Sequence, residues 1–305
     1  MKLSIITPSY NQGRYIERTI QSVLSQEIAD LEYWVLDGGS QDDTVSILEH
    51  YSKQLQYHSA KDAGQADAVN KGLRLATGDI IGWLNSDDIY YPNAFKKIMD
   101  YFASHPDVDV VYGDAYHIDQ NDRVIELYPT EAWDLQRFKK TCFISQPSVF
   151  FRRRILQKHG YLNDSLHFCL DYEYWLRLAL QGVKFGYLKE IIAGSRLYPE
   201  TKTLSAPLTA QREALSMLHR HLGSVSPEWL LTYSITVIKH KTRLRYPGPL
   251  FLLSAWLVTC YQILHWSGGL QAVKGLFSIP FAMLAIKQKN REGKHARDHL
   301  VSGRS

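Results

Sequence analysis

Residues 79–92 read DIIGWLNSDDIYYP: a short apolar strand that runs directly into Asn85, Ser86, Asp87 and Asp88. Adjacent carboxylates repel, so at the end of a buried strand they must either stay solvated or share a cation. A polar loop after a strand is the ordinary reading of one such tip. What the tip means therefore depends on which other strand ends face the same space.

Outward from this stretch, strand-like and helix-like segments alternate. KLSIIT (2–7) precedes GRYIERTIQSVLSQ, where Ile16, Ile20, Val23 and Leu24 share a helical face. EYWVLD (32–37) precedes DDTVSILEHYS, with Asp42 or Asp43 as its N-cap. LQYHSA, GQADAVNKGLRLA and DIIGWL follow as strand, helix and strand, then a helix over 92–104 and the strand VDVVYG (108–113). This order predicts an α/β fold: an open, mostly parallel sheet with helices on both faces. Ligands of such sheets sit outside the carboxyl ends of the strands. Here those ends are TPSYNQG, DGGSQDD, AKDAGQ and NSDD, all small, hydroxylic or acidic, and all are expected to face one crevice. A dinucleotide site needs a glycine-rich turn after the first strand, and PSYNQG offers only Gly13. Asp37 is placed to accept from a base N–H or a ribose hydroxyl, and Asp87 to reach a divalent ion on a diphosphate.

Composition narrows the class. The 305 residues, 45% hydrophobic, suffice for a full core and a second, smaller unit. Three cysteines (Cys142, Cys169, Cys260) without CxxC spacing argue against a disulfide framework or a zinc site and fit a reducing compartment. Pro8 interrupts the apolar start, unlike a signal peptide, so the bulk of the chain is expected in the cytoplasm. Residues 226–305 hold 11 Lys and Arg against 3 Asp and Glu, leaving 24 against 28 for residues 1–225.

The segments SIITPSYNQGRYIERTIQSVLSQ, EYWVLDGGSQDDT, KDAGQADAVNKGLRLATGDIIGWLNSDDIYYP, SQPSVFFRRRIL and LDYEYWLRLAL, in this order over residues 1–205, strongly resemble the family 2 glycosyltransferases, which have the GT-A fold. The resemblance is strongest to bacterial members that build capsule, exopolysaccharide or O-antigen. It implies that Thr7, Ser9 and Tyr10 line the nucleotide base, that Asp37 binds base or ribose, and that Asp62 lies near the base. It matches NSDD to the metal-binding DxD element, with Asn85 in place of the first acid, Asp87 as the metal ligand and Asp88 in support. It places the catalytic base at Asp171, with Glu173 as the fallback, in a helix built on Leu170, Tyr174, Trp175 and Leu178. The implied activity is inverting transfer of a hexosyl group from a nucleotide-diphosphate sugar, a UDP-sugar foremost, to a lipid-linked or oligosaccharide acceptor. Mn²⁺ or Mg²⁺ is the implied cofactor; no nucleic-acid partner is expected. A sugar-phosphate nucleotidyltransferase and a catalytically silent sugar-nucleotide-binding protein are the competing readings.

Farther on, DAYHIDQNDRVIELYP has the pattern of a hairpin, and Arg152 to Arg154 that of a solvated basic turn. SRLYPETKTLS puts Arg196 and Lys202 on a mobile loop, where cations can clamp a diphosphate. The domain is expected to end at 223. From 224 to 305 the chain reads as a helical, basic and apolar tail without Asp, Glu, Lys or Arg from Tyr246 to Val273. PLFLLSAWLVTCYQILHW and GLFSIPFAMLAIKQKNREGK within it fit a packed appendage, an interfacial anchor or a membrane hairpin closed near Gly268 and Gly269. Flanking Lys and Arg favour attachment to the cytoplasmic face of the cell membrane.

Overall fold

Strand β1 (Leu3–Ser9) is buried at every position, as a central strand must be. It pairs in parallel with β2 (Leu31–Asp37) and β4 (Ile80–Trp83), and β2 pairs in parallel with β3 (Gln56–Ser59). The computed structural model describes residues 1–244 and 246–266. Beyond β4 the sheet continues through β5 (Ile89–Tyr90), β6 (Val110–Ile118), β7 (Val124–Leu127), β8 (Val149–Arg152) and β9 (Phe185–Arg196). Its order is β3-β2-β1-β4-β8-β6-β9-β5, with β7 hairpinned onto β6. Strand β8 runs antiparallel to β4 and β6, while β6 and β9 run parallel, so the open, mostly parallel sheet expected from the alternation is present with an antiparallel insert.

Side-chain alternation assigns the faces. Leu3 and Ile5 of β1 pack with Ile16, Ile20 and Val23 of α1 (Ile16–Leu24), Leu48 of α2 (Thr44–His50) and Phe95, Ile98 and Phe102 of α4 (Ala94–Ser104). Ile6, one position on, faces α3 (Gln65–Leu75), where a Cβ on Gly72 would collide with Ile6 Cγ2 and stand 2.9 Å from Leu36 Cδ2. The same alternation recurs in β8: Phe150 meets Tyr90 and Phe95, and Phe151 meets Tyr174 and Trp175 of α7 (Leu170–Leu180). Short helices α5 (Leu135–Phe138), α6 (Arg154–His159) and α8 (Lys202–Ser205) complete this part. The arginine triplet lies at the amino end of β4, where Arg153 Nε donates to Gly78 O and Arg154 pairs with Asp109 at 2.6 Å.

Two compact units result: Met1–Phe138 with Cys142–Ser205, and Lys139–Thr141 with the chain from Ala206 onward. The division after Ser205 displaces the boundary expected at 223. Helix α9 (Pro207–Leu222) stays with α10 (Pro227–Lys241) and α11 (Pro249–Trp266), although its mixed polar sequence resembles the domain before it. Within the second unit α11 buries Phe251, Ala255, Thr259 and Ile263, one stripe at i, i+4 spacing. The opposite stripe, Leu250, Leu253, Leu257, Tyr261 and Leu264, is 53–69% exposed. The proposed glycine turn at Gly268 and Gly269, the second apolar segment after it, and Arg245 lie outside the described residues.

The seating of α3 sets the first test. Alanine at position 72 gains about 1 kcal/mol of helix propensity but must displace Ile6 and Leu36. Overpacking wins, and Gly72→Ala is expected to lower stability by about 1–3 kcal/mol in denaturant unfolding. A variant as stable as the parent would place α3 farther from β1 and β2.

Candidate active site

The carboxyl ends of β1 to β4 open into one cleft of about 990 Å³, lined by Pro8, Ser9, Tyr10, Gly38, Asp62 and the Asn85–Asp88 turn among others. The volume lies at the upper end of the roughly 300–1,000 Å³ usual for small-molecule sites. Backbone-to-side-chain bonds weld the first two tips together. Asn11 N donates to Ser40 Oγ (2.7 Å), Gln41 N to Asn11 Oδ1 (2.9 Å) and Gly13 N to Asp42 Oδ2 (2.9 Å). Asp42 also accepts from Thr44 N, so this acid, more than Asp43, orders the start of α2. On the third tip Gly64, at φ +113°, opens α3 beside the cleft, and Asp62 accepts from Gly64 N at 2.9 Å. The α3 N-terminus is the partly positive end of its helix dipole and favours an anionic ligand.

Thr7 and Asp37 stand outside the cleft lining, and Arg196, which borders the cleft, is committed to the protein. Thr7 is fully buried and bonded to Tyr33 Oη at 3.2 Å, so it belongs to the core under the tip and not to the cleft lining. Asp37 is 2% exposed, and its carboxylate accepts from Gly39 N, Ser40 N, Ser40 Oγ and Ser59 Oγ. These donors commit Asp37 to its own turn and to the end of β3, behind the cleft wall that Gly38 and Gly39 supply. Arg196 is not on a mobile loop: it ends β9, and its guanidinium is wholly buried. The guanidinium donates to Asp87 O (2.6 Å) and Asp119 O (2.7 Å), pairs with Asp122 (2.5 Å) and lies over the Tyr15 ring. It is a structural staple, not a cation waiting for a diphosphate.

Ser9, Tyr10 and Asp62 do line the cleft. Ser9 Oγ is buried there without a hydrogen-bond partner. Tyr10 is 62% exposed, open to a flat ligand. In the fourth tip the two acids differ. Asp88 is 3% exposed, with Oδ1 accepting from Arg196 N at 2.8 Å and Oδ2 from Asn85 Nδ2 at 3.3 Å. Asp87 is half-buried at the cleft and accepts from Tyr198 Oη at 2.9 Å. Burial raises both carboxyls above the usual range. For Asp88 the neighbouring Asp87 charge adds to the rise, and Arg196 opposes it without cancelling it.

Asp171 stands in the first turn of α7 and does not line the cleft. Burial raises its carboxyl, and the Lys202 ammonium opposes the rise. Glu173 is 2% exposed and paired with Arg177 at 2.9 Å, which takes the fallback base out of reach. Lys202 does line the cleft, in α8, and donates to Gln65 Oε1 at 3.2 Å. Tyr198, Gln65 and Gln146 join the strand-tip hydrogen bonds without a mark in the sequence. All three lie inside the quoted segments, but as neutral residues they carried no charge pattern to mark them.

The curated relatives include the chondroitin synthase of Escherichia coli, 31% identical over 215 residues, which are 69% of this chain and 31% of that protein. An uncharacterized glycosyltransferase of Rickettsia typhi is 28% identical over 67% of this chain and 66% of its own length. The chain thus spans about a third and just under two thirds of these two relatives. Among solved structures, Staphylococcus aureus TarS 1-349 in complex with UDP-GlcNAc superposes with a TM-score of 0.61 at 18% identity, covering 96% of this chain and 92% of that one. The mannosyltransferase PcManGT from Pyrobaculum calidifontis, in complex with GDP-Man and Mn²⁺, does so with a TM-score of 0.59 at 17% identity, covering 98% and 85%. These likenesses establish a GT-A-like fold. The family model described as glycosyl transferase family 2 matches residues 4–160, more than half of the chain, and the protein belongs to that family.

Proposed function

We propose that the protein transfers a hexosyl group, with inversion, from a UDP-sugar to a hydroxyl of a lipid-linked saccharide, in the assembly of a cell-surface polysaccharide. The observation that carries this reading is the meeting of Tyr10, Asp62, the α3 N-terminus and Asp87 in one cleft. That set suits a ligand with a flat base, hydroxyls and a cation-bearing diphosphate. Two solved neighbours hold UDP-GlcNAc and GDP-Man.

The residues fit a divalent ion that arrives with its nucleotide. Among the described residues no group of three or more His, Cys, Asp or Glu could cage an ion. Mg²⁺ and ions like it are commonly held by one or two carboxylates together with substrate phosphates, and Asp87 at the cleft supplies such a carboxylate. Mn²⁺ or Mg²⁺ bound there would offset the charge that develops on the leaving diphosphate. Asp171 is the proposed general base on the strength of the family resemblance, although it opens α7 outside the cleft lining; its raised carboxyl is a stronger proton acceptor than an ordinary one. One direct displacement with one base inverts the anomeric carbon.

The second unit supports attachment to the cytoplasmic face of the membrane. Among the described residues, α11 is long and apolar enough to cross a bilayer, with mean hydropathy 1.2 over 18 residues. Its exposed stripe of Leu250, Leu253, Leu257, Tyr261 and Leu264 faces away from the stripe packed in the unit. Lys239 and Lys241 close α10 just before it. An apolar stripe next to cations matches an anionic lipid surface.

Two experiments test these assignments. Asp171→Asn is expected to lower kcat by about 10³-fold with the UDP-sugar Kd within about threefold, whereas Asp87→Asn loses the Mn²⁺- or Mg²⁺-dependent part of turnover. If Asp171→Asn instead loses donor affinity with kcat intact, Asp171 is a donor-binding group and the base lies elsewhere. For the membrane, Leu253→Glu with Leu257→Glu sits on exposed positions and should leave stability within about 0.5 kcal/mol. It is expected to move the full-length protein from the membrane pellet to the supernatant. A double variant that still pellets after a high-salt wash would remove this face from the attachment.

A further inference from the structure

Gln65 and Gln146 meet at Asn85. Lys202 Nζ donates to Gln65 Oε1 (3.2 Å), and Gln65 Nε2 donates to Asn85 Oδ1 (2.8 Å), which also accepts from Trp83 Nε1 (3.0 Å). On the other side Asn85 Nδ2 donates to Gln146 Oε1 (3.0 Å) and Asp88 Oδ2 (3.3 Å), and Gln146 Nε2 donates to Trp83 O (2.7 Å). A carboxamide has two acceptor sites and two donor hydrogens, and all four are used. The orientation of an Asn or Gln amide is ordinarily a choice between two flips. Here it is forced from both ends, because an ammonium and an indole N–H only donate and a backbone carbonyl only accepts.

We infer that Asn85 is a positioning residue. Its neutral amide fixes the strand-tip turn so that Asp87 alone presents an acid to the nucleotide-borne cation, at the place where the resemblance leads one to expect two. The inference rests on the nucleotide-sugar reading of the cleft. A carboxylate at position 85 would keep the bonds from Gln65 and Trp83 but lose both donations. Its second oxygen would then face Gln146 Oε1 and Asp88 Oδ2. Gln146 cannot turn over to help, since that would aim its own oxygen at Trp83 O. A third carboxylate would also join Asp87 and Asp88 in the same strand-tip turn, with its second oxygen on the side of Asp88 Oδ2. The departure from an acid at this position is therefore enforced by Gln146, 9% exposed and outside the cleft lining.

The test is calorimetric titration of UDP into the full-length protein, with and without Mn²⁺, for wild type, Asn85→Asp and Asn85→Ala, alongside thermal unfolding of each. The quantity read is the Mn²⁺-dependent gain in UDP affinity, which a general loosening of the fold does not single out. Asn85→Asp is expected to cut that gain by about tenfold or more, as expected for losing a hydrogen bond to a charged group, with metal-free affinity within about threefold. Asn85→Ala should fall between it and wild type, since it loses the bonds without adding charge. If Asn85→Asp enlarges the gain, position 85 is a metal-acid position and the inference is wrong. If Asn85→Ala keeps the full wild-type gain, the amide positions nothing, which overturns it equally. Should Asn85→Asp fail to fold, Gln146→Met provides the same readout from outside the cleft: a reduced gain supports the inference and an unchanged gain overturns it. A wild-type protein with no Mn²⁺ gain overturns the metal reading of the cleft, and the inference with it, before any variant is compared.

Discussion

Arg196, its guanidinium buried, fastens the turn in which two adjacent carboxylates end a buried strand. Arg196 closes β9 against the tip of β4, its backbone N–H on Asp88 and its Nε on the Asp87 carbonyl, while the rest of its side chain is held by Asp119, Asp122 and Tyr15. Its ion pair with Asp122 is buried on the arginine side and a third exposed on the other. Burial still prevails over this cation at both acids and raises their carboxyls. The tip therefore carries an electrostatic debt that a further positive charge at the cleft would relieve. Asp88 is spent inward on the staple, and Asp87 is the acid turned to the cleft.

The same constraint explains how the two halves of the sheet cooperate. Residues 4–160, which match the family, supply the four strand tips. Arg196, Tyr198 and Lys202, which close the tips, come from β9 and the segment after it. Tyr198 Oη lies on Asp87 and Lys202 on Gln65, so both ends of the strand-tip network are tied to that later segment. Changes at 197–205 thus reach the cleft through hydrogen bonds as well as through shape.

What could be read in advance follows from the range of the interactions. Strands and helices were legible because their periodicity is local: Ile16, Ile20 and Val23 recur at helical spacing, and each is buried. The crevice was legible because strand ends in an α/β sheet converge by topology. The fates of Asp37, Thr7 and Arg196 were not, since each depends on partners that chemistry alone does not designate. Asp37 meets Ser59 across 22 residues, and Arg196 meets Asp88 across 108. A strand-end acid saturated by its own turn and the neighbouring strand and one open to a ligand look alike in sequence. Composition changes at 223, whereas the contacts divide the chain after Ser205 and keep α9 with the helices that follow.

The most direct measurement is a crystal structure of the full-length protein with UDP and Mn²⁺, using the anomalous signal of manganese to place the ion. The account predicts one ion between the diphosphate and the Asp87 carboxylate, at about 2.0–2.3 Å as for hard cations on oxygen, with Asn85 still bonded to Gln65 and Gln146 and no contact from residue 85 to the ion. An ion on the Asn85 or Asp88 side chain, or UDP bound away from the β1–β4 tips, would contradict it.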